Sequence, residues 1–158
     1  MKKYQTEIKW GLIFGLMSLL WMVLERVAGL HGPYIEQHAI YTNFVAIPAI
    51  AIYVLGLLEK RKKYYGGSMS YGQGFKAGLF ITLVVTLLTP LTMWLTLNVI
   101  TPDFLDNAAA YAVASGNMEE QAAKEYFSKR NYMIQSIVGA PIMGILTAAI
   151  VALFTRKK

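Results

Sequence analysis

The chain has 158 residues, of which 56% are hydrophobic and only 15% are charged, and its mean hydropathy is +0.43. A soluble domain carries about 25% charged residues, so the composition argues against a water-soluble fold and excludes a disordered chain. The sequence has no cysteine, which excludes disulfide frameworks, thiol nucleophiles and cysteine zinc sites. The net charge of +6 would indicate nucleic-acid binding only if the basic residues formed a patch or stripe.

Charged residues are absent from four long stretches of the chain. A helix that crosses a hydrocarbon core of about 30 Å needs about 20 residues, and the backbone must be helical because lipid offers it no hydrogen-bond partner. We therefore predict an all-α fold, a single integral membrane four-helix bundle. Its spans are predicted at about 8–27, 39–58, 77–100 and 131–154.

The first span ends at Glu25 and Arg26, the charged residues closest to the membrane interior. We expect this span to be retained, because the two charges follow its apolar core directly and residues 27–30 make a poor signal-peptide cleavage site. A charge inside a membrane is a functional-site hypothesis by default. The alternative, which the sequence favours, is that both side chains extend to the outer headgroups.

The loop after the first span contains three residues of metal-ligating types, His31, Glu36 and His38. The histidines are seven residues apart, and Gly32-Pro33 interrupts any helix between them, so the spacing of a helical metal site is missing. We therefore expect an interfacial turn and predict no metal site. A cluster of both histidines with the two charged residues of the first span around one cavity would instead favour a membrane-embedded enzyme.

The connection at 59–76 carries four consecutive basic residues and then a glycine-rich segment. Basic residues beside tyrosines suit an anionic headgroup layer, so membrane lipids are predicted to contact Lys60, Arg61, Lys62 and Lys63. The glycines lack the spacing of a phosphate-binding loop. Nucleotide binding is therefore not expected, and the segment is predicted to be a turn that leads into the third span.

Five threonines lie on one face of the third span, at steps of three and four residues. They either line a polar path or, as we favour, return their hydroxyls to carbonyl groups one turn earlier or to a neighbouring helix. The stripe consists of Thr82, Thr86, Thr89, Thr92 and Thr96.

The connection at 101–130 is predicted to be a helical external loop with two short helices. Thr101-Pro102-Asp103 has the hydroxyl, proline and acid of a helix start, and Gly116 marks a helix stop. Residues 117–120 resemble the capping box of a second helix, which either ends before the fourth span or continues into it. The pairs Glu120–Lys124 and Glu125–Lys129 are spaced for helical ion pairs.

Small residues recur at four-residue steps in the first and fourth spans, which lets a neighbouring backbone approach closely. Such faces serve as oligomer interfaces or as packing inside one four-helix unit, and we favour the second use. The helix-packing residues are Gly11, Gly15, Ser136, Ala140, Gly144, Ala148 and Ala152.

The basic residues are concentrated on one side of the predicted spans. Eleven of the 15 lie before or near the start of the first span, in the connection at 59–76, or in the C-terminal tail, Lys2 and Lys158 among them. By the positive-inside rule both termini face the cytoplasm. The net charge therefore reports orientation, and no nucleic-acid partner is predicted.

Several segments are similar to one known family. Gly11-Leu-Ile-Phe-Gly15 lies in the first span, residues 67–78 lead into the third span, and Pro102-Asp103-Phe104 follows it. An acidic stretch around 116–125 and a basic tail at 156–158 complete the set. On these residues the chain resembles the small integral membrane proteins of Bacteroidota catalogued as domain of unknown function 4199. The resemblance implies a four-span inner-membrane protein and assigns no activity, cofactor or catalytic residue.

Motifs for catalysis are missing from the sequence, so no catalytic residue, cofactor or metal is predicted and the chain is not expected to be an enzyme. The leading hypothesis is an interaction or accessory subunit that packs against itself or against another membrane protein through the small-residue faces. The alternative is a small oligomeric transporter or channel that uses Glu25 and the threonine stripe.

Overall fold

The computed structural model describes residues 3–157, so Lys2 and Lys158, which entered the orientation argument, lie outside the described residues. The described chain is helical, with one isolated β-bridge. The helices are α1 (Gln5–Val27), α2 (Ile35–Tyr41), a 3-10 turn (Thr42–Val45), α3 (Ala46–Lys63), α4 (Tyr71–Leu95, extended by a π-helical turn at Thr96–Ile100), α5 (Phe104–Ala114), α6 (Glu120–Tyr126) and α7 (Lys129–Thr155).

Four helical segments are long and apolar enough to cross a membrane, as the sequence predicts: Gln5–Val27, Ile35–Lys63, Tyr71–Ile100 and Lys129–Thr155. Both the second and the third segment extend further towards their connection than the charge-free stretches do. The second segment gains residues 60–63, because lysine and arginine are good helix formers. Ser70 and Gln73 begin α4 with a capping box, in which each side chain accepts a hydrogen bond from the other residue's backbone N–H. The connection predicted at 59–76 therefore shortens to residues 64–70.

The second segment is not one uniform helix, because the 3-10 turn separates α2 from α3. Pro48 lies in the first turn of α3, where a backbone N–H has no intrahelical partner, so the lack of an N–H on proline does not cost a helix hydrogen bond. Helix α2 carries His38, a residue of the candidate site.

Helix α4 packs between α7 on one side and α1 on the other. A Cβ added to Gly78 would lie 2.6 Å from the Cβ of Ala148, so the backbones of α4 and α7 are in direct contact. Gly144 packs against Thr82 in the same way, and Ala152 contacts Gly74. The small residues in the second half of α7 therefore lie inside the four-helix unit.

The glycines of α1 contact a different face of α4. Gly11 lies against Val84, and Gly15 lies against Leu88. Ser136 and Ala140, from the first half of α7, are only partly buried, because α7 is less tightly packed there than around Ala148.

The bundle has two ends, which we name by what they carry. The terminus end holds residue 3, residue 157 and the connection between α3 and α4. Backbone hydrogen bonds in both directions join Met69 to Lys157 there, at 2.8 and 2.9 Å, and Met69 is fully buried in the main core. The cap end holds the turn between α1 and α2 together with α5 and α6, which we call the cap.

The cap is held by a second, smaller core. Leu97, at the end of the third segment, packs with Phe104, Leu105 and Ala108. Gly116 ends α5 in the left-handed region, with φ of +71°, as its predicted role as a helix stop requires. The cap therefore lies against the bundle instead of extending away from it.

Three predicted details of the cap are wrong. Asp103 and Glu119 are the N-cap residues of α5 and α6, and neither makes a side-chain capping hydrogen bond, so the helix start at Thr101-Pro102-Asp103 and the capping box at 117–120 do not form as predicted. Ser128 is extended and caps α7, so of the two courses that the sequence leaves open for α6, the structure has the one that ends before the fourth segment. The predicted ion pair of Glu125 with Lys129 therefore does not form, because Glu125 lies in α6 and Lys129 begins α7. Lys129 donates a hydrogen bond to the side chain of Asn98 instead.

Candidate functional site at the cap end

Glu25 is buried in the last turns of α1, with 2% of its surface exposed. The indole N–H of Trp21, one turn earlier, donates to Glu25 Oε1 at 2.6 Å. The prediction that Glu25 extends to the headgroups is therefore wrong. A sequence signal for burial was present, because steps of four, three, four and three residues place Glu25 on the same face as Gly11 and Gly15, the face that packs against α4.

His31 reaches Glu25 through the tight turn that follows α1. Gly29 adopts a φ of +81°, which favours glycine, and the turn places His31 Nε2 3.1 Å from Glu25 Oε2. The side-chain amide of Asn107 in the cap donates to the backbone carbonyl of His31 at 2.8 Å. His31 is buried, and its Nδ1 has no hydrogen-bond partner among the described residues.

His38 approaches the same carboxylate from α2, with its Nε2 3.5 Å from Glu25 Oε2. The ring of Phe104 contacts both imidazoles, with centroids 4.6 Å from His31 and 4.8 Å from His38. One oxygen and two ring nitrogens thus lie within 4.8 Å of one another. The glutamate of this group is Glu25 and not Glu36, which is exposed on α2.

We call Glu25, His31 and His38 the Glu25 cluster. Two imidazoles and a carboxylate can hold one another by hydrogen bonds, or they can bind a divalent cation, because both residue types are ligands of transition metals. The sequence named these residues as a possible cluster but did not predict that they converge, because they are six and seven residues apart across a turn, a spacing that no regular helix brings together.

A cavity of about 510 Å³ lies beside the cluster and is bordered by His38. All four long segments contribute to its wall, and Tyr126 at the end of α6 borders it at the cap. Its lining combines hydroxyl, amide and aromatic groups with methionines. The lining residues are Met22, His38, Thr42, Met93, Thr96, Tyr126, Phe127, Tyr132, Gln135 and Ser136.

A family model matches residues 9–157, which include all three members of the cluster and nearly all of the cavity-lining helices. The chain belongs to the DUF4199 family. The family's description is a protein of unknown function, as the resemblance in the sequence indicates. No curated protein and no solved structure matches the chain.

Arg26, the other candidate charge in this DUF4199 chain, does not join the cluster. Its guanidinium donates to the backbone carbonyl of Ile100, at the end of the third segment. Three of the four residues whose clustering would favour an enzyme therefore come together, and the fourth joins the end of α1 to the end of the third segment.

The threonine stripe is directed into the fold. Thr82, Thr89 and Thr96 donate to the carbonyl group four residues earlier, and Thr92 donates to the carbonyl of Thr89. Thr82 also hydrogen-bonds the hydroxyl of Tyr53 at 2.8 Å, whereas Thr86 has a buried hydroxyl with no partner. Most of the stripe thus satisfies its hydroxyls within the helix itself.

The four basic residues at the end of α3 have different environments. Lys60 is buried and forms an ion pair with Glu7 at 2.8 Å, so it is not available to lipid headgroups as predicted. Arg61 donates to the backbone carbonyl of Thr155 at 2.7 Å, and Lys63 pairs with Glu59. Lys62 is exposed. The lipid-contact prediction therefore concerns Arg61, Lys62 and Lys63.

Proposed function

We propose that this chain is a binding protein of the bacterial inner membrane, and that its working site is the Glu25 cluster with the adjoining cavity, open to the outer side. The observation that carries the proposal is the burial of a carboxylate and two imidazoles next to a cavity of about 510 Å³. Polar groups held inside a membrane protein are costly to bury and mark functional sites by default.

The proposed orientation places both termini in the cytoplasm. Basic residues gather at the terminus end, whereas the Glu25 cluster and the cap lie at the other end. The positive-inside rule assigns the basic end to the cytoplasm. The cluster and its cavity would then draw their ligand from the outer side of the membrane.

Binding is better supported than transport. The half of the bundle at the terminus end is filled by contacts between glycine and alanine, such as Gly78 with Ala148, which leave no room for a path between α4 and α7. The transporter alternative retains its carboxylate, Glu25, but most hydroxyls of the threonine stripe are occupied by the backbone of α4.

An interaction with a second copy or another membrane protein needs a different surface from the one first considered. Gly11, Gly15, Gly144 and Ala148 contact α4 within the chain, so the same residues cannot also face a partner. Membrane lipids remain the partners that we propose for Arg61, Lys62 and Lys63, and no nucleic-acid partner is proposed.

Cysteine labelling tests the orientation, because the natural sequence has no cysteine to interfere. Gly72→Cys lies in open space at the terminus end, and Asn117→Cys lies on the exposed surface of the cap. In intact spheroplasts an impermeant maleimide should label Asn117→Cys at once and Gly72→Cys only after the membrane is permeabilised. The reverse pattern would contradict the proposed orientation.

A second pair of variants tests whether the cavity is open to the outer side. Ser136 lines the cavity, whereas Val138, two residues further along α7, is 54% exposed on the outer surface of the bundle. A charged methanethiosulfonate reacts with the thiolate, which forms in water and not in lipid. Ser136→Cys should react from outside and Val138→Cys should not. An unreactive Ser136→Cys, or equal reactivity of the two variants, would refute an open cavity.

A further inference from the structure

We propose that Glu25, His31 and His38 bind a divalent transition-metal ion of the zinc type. The inference rests on the proposed binding function and deepens it, because it names the class of ligand that the same site takes. It requires that the three donor atoms converge, that the site lacks another compensating charge, and that surrounding groups hold the donors in place.

Two of the three distances between the donor atoms match ligand spacing, and all three donors lie within 4.8 Å of one another. Zn²⁺ binds nitrogen and oxygen ligands at about 2.0–2.1 Å in a tetrahedral arrangement, which separates neighbouring ligand atoms by about 3.3 Å. The Nε2 atoms of His31 and His38 lie 3.1 and 3.5 Å from the same carboxylate oxygen, Glu25 Oε2. An ion can therefore enter between the three atoms with small side-chain movements.

The charge of Glu25 calls for a cation. A buried carboxylate is unfavourable unless it is paired, and Glu25 has only 2% of its surface exposed to solvent. Among residues 3–157 the ion-pair partners of Glu25 are the two histidines, and the neighbouring Arg26 is bonded to the carbonyl of Ile100 instead. Ligating imidazoles are neutral, so a divalent ion would supply the charge that compensates the carboxylate.

The surroundings hold each donor in position. Trp21 donates to Oε1 of Glu25 and leaves Oε2 directed at the imidazoles. Asn107 fixes the backbone of His31, and Phe104 packs against both rings. Such outer groups orient metal ligands and raise their affinity. The cluster thus has the supporting contacts of a built site.

Three protein donors leave one coordination position of a tetrahedral ion free. His38 belongs to both the cluster and the cavity wall, so the cavity adjoins that free position. Water or a donor group of a second molecule in the cavity would complete the coordination, and ions would enter through the cavity without opening the bundle.

The test is calorimetric titration of the full-length, chelator-treated protein in detergent with Zn²⁺. The wild-type chain should bind one ion, and His38→Ala and Glu25→Gln should each weaken binding at least tenfold. Trp21→Phe, which removes only an outer contact, should weaken it by about 10–100-fold. Glu36→Gln is the matched control, since it removes an exposed carboxylate two residues from His38 and should not change binding.

Thermal unfolding of each variant without metal separates loss of the site from loss of the fold. His38→Ala is the deciding variant, because the His38 side chain is partly exposed and its removal leaves the buried Glu25–His31 contact intact. A folded wild-type chain that binds no Zn²⁺, or equal binding by His38→Ala and Glu36→Gln, would overturn the proposal and leave a hydrogen-bonded cluster.

The labelling of Ser136→Cys distinguishes this failure from failure of the proposed function. Labelling from outside without zinc binding would overturn the metal site and retain an open cavity. Zinc binding by a chain whose Ser136→Cys is unreactive would retain the metal site and overturn the outward opening.

Discussion

Substitution of Gly78 by alanine tests the contact between α4 and α7 that closes the terminus end of the bundle. The new methyl carbon would lie 2.6 Å from Ala148 Cβ and 3.1 Å from its Cα. Neither atom can rotate away, so the two helices must separate. Overpacking of this kind costs about 1–3 kcal/mol, and the higher helix propensity of alanine offsets about 1 kcal/mol of it.

Gly139→Ala, on α7, provides the matched control because a Cβ there has no neighbour within 4 Å. We expect Gly78→Ala to be less stable than Gly139→Ala by about 1–3 kcal/mol, measured by unfolding in mixed detergent micelles. Ala148→Gly should rescue Gly78→Ala, because it removes the opposing methyl group, and neighbouring residues couple by about 0.5–3 kcal/mol. Equal stability of the two alanine variants, or a purely additive double variant, would refute the proposed backbone contact.

Two further predictions concern ion pairs outside the Glu25 cluster. Lys60→Met should lower the free energy of unfolding by about 3–5 kcal/mol, because it leaves Glu7 buried without its ion-pair partner. Unfolding measurements on the double variant should show that the added substitution Glu7→Gln restores much of the lost stability. The Lys124 ammonium holds the pKa of Glu120 below its ordinary value. Lys124→Met should raise that pKa in an NMR titration. In the wild-type chain the pair's contribution to the free energy of unfolding is present above the ordinary carboxyl pKa and should be lost as the pH falls through the lowered pKa of Glu120.

The four long helices could be predicted from sequence because crossing the hydrocarbon core of a membrane is a local requirement. A stretch of about 20 residues without charge meets this requirement whatever the rest of the chain does. Each of the four predicted stretches lies within a helical segment. The 3-10 turn at Thr42–Val45 and the break at Ser128 were not predicted, because they depend on how neighbouring elements meet.

The candidate site could be predicted only in part, since its residues are assembled by a turn. Glu25 was a candidate from its position, but its burial depends on α4 and the cap, which lie far away in sequence. His31 and His38 are seven residues apart, and the turn at Gly29 and the start of α2 bring them together. Lys60 was misassigned for a similar reason, because its face of α3 also carries Tyr53 and Gly56, which are buried.

X-ray absorption at the zinc edge tests the central claim of a ligand-binding cluster most directly. On protein loaded with one equivalent of Zn²⁺, the account predicts a first shell of nitrogen and oxygen that includes two imidazoles, one of which disappears in His38→Ala. A shell of water oxygens without imidazole, or a spectrum that His38→Ala leaves unchanged, would contradict the claim.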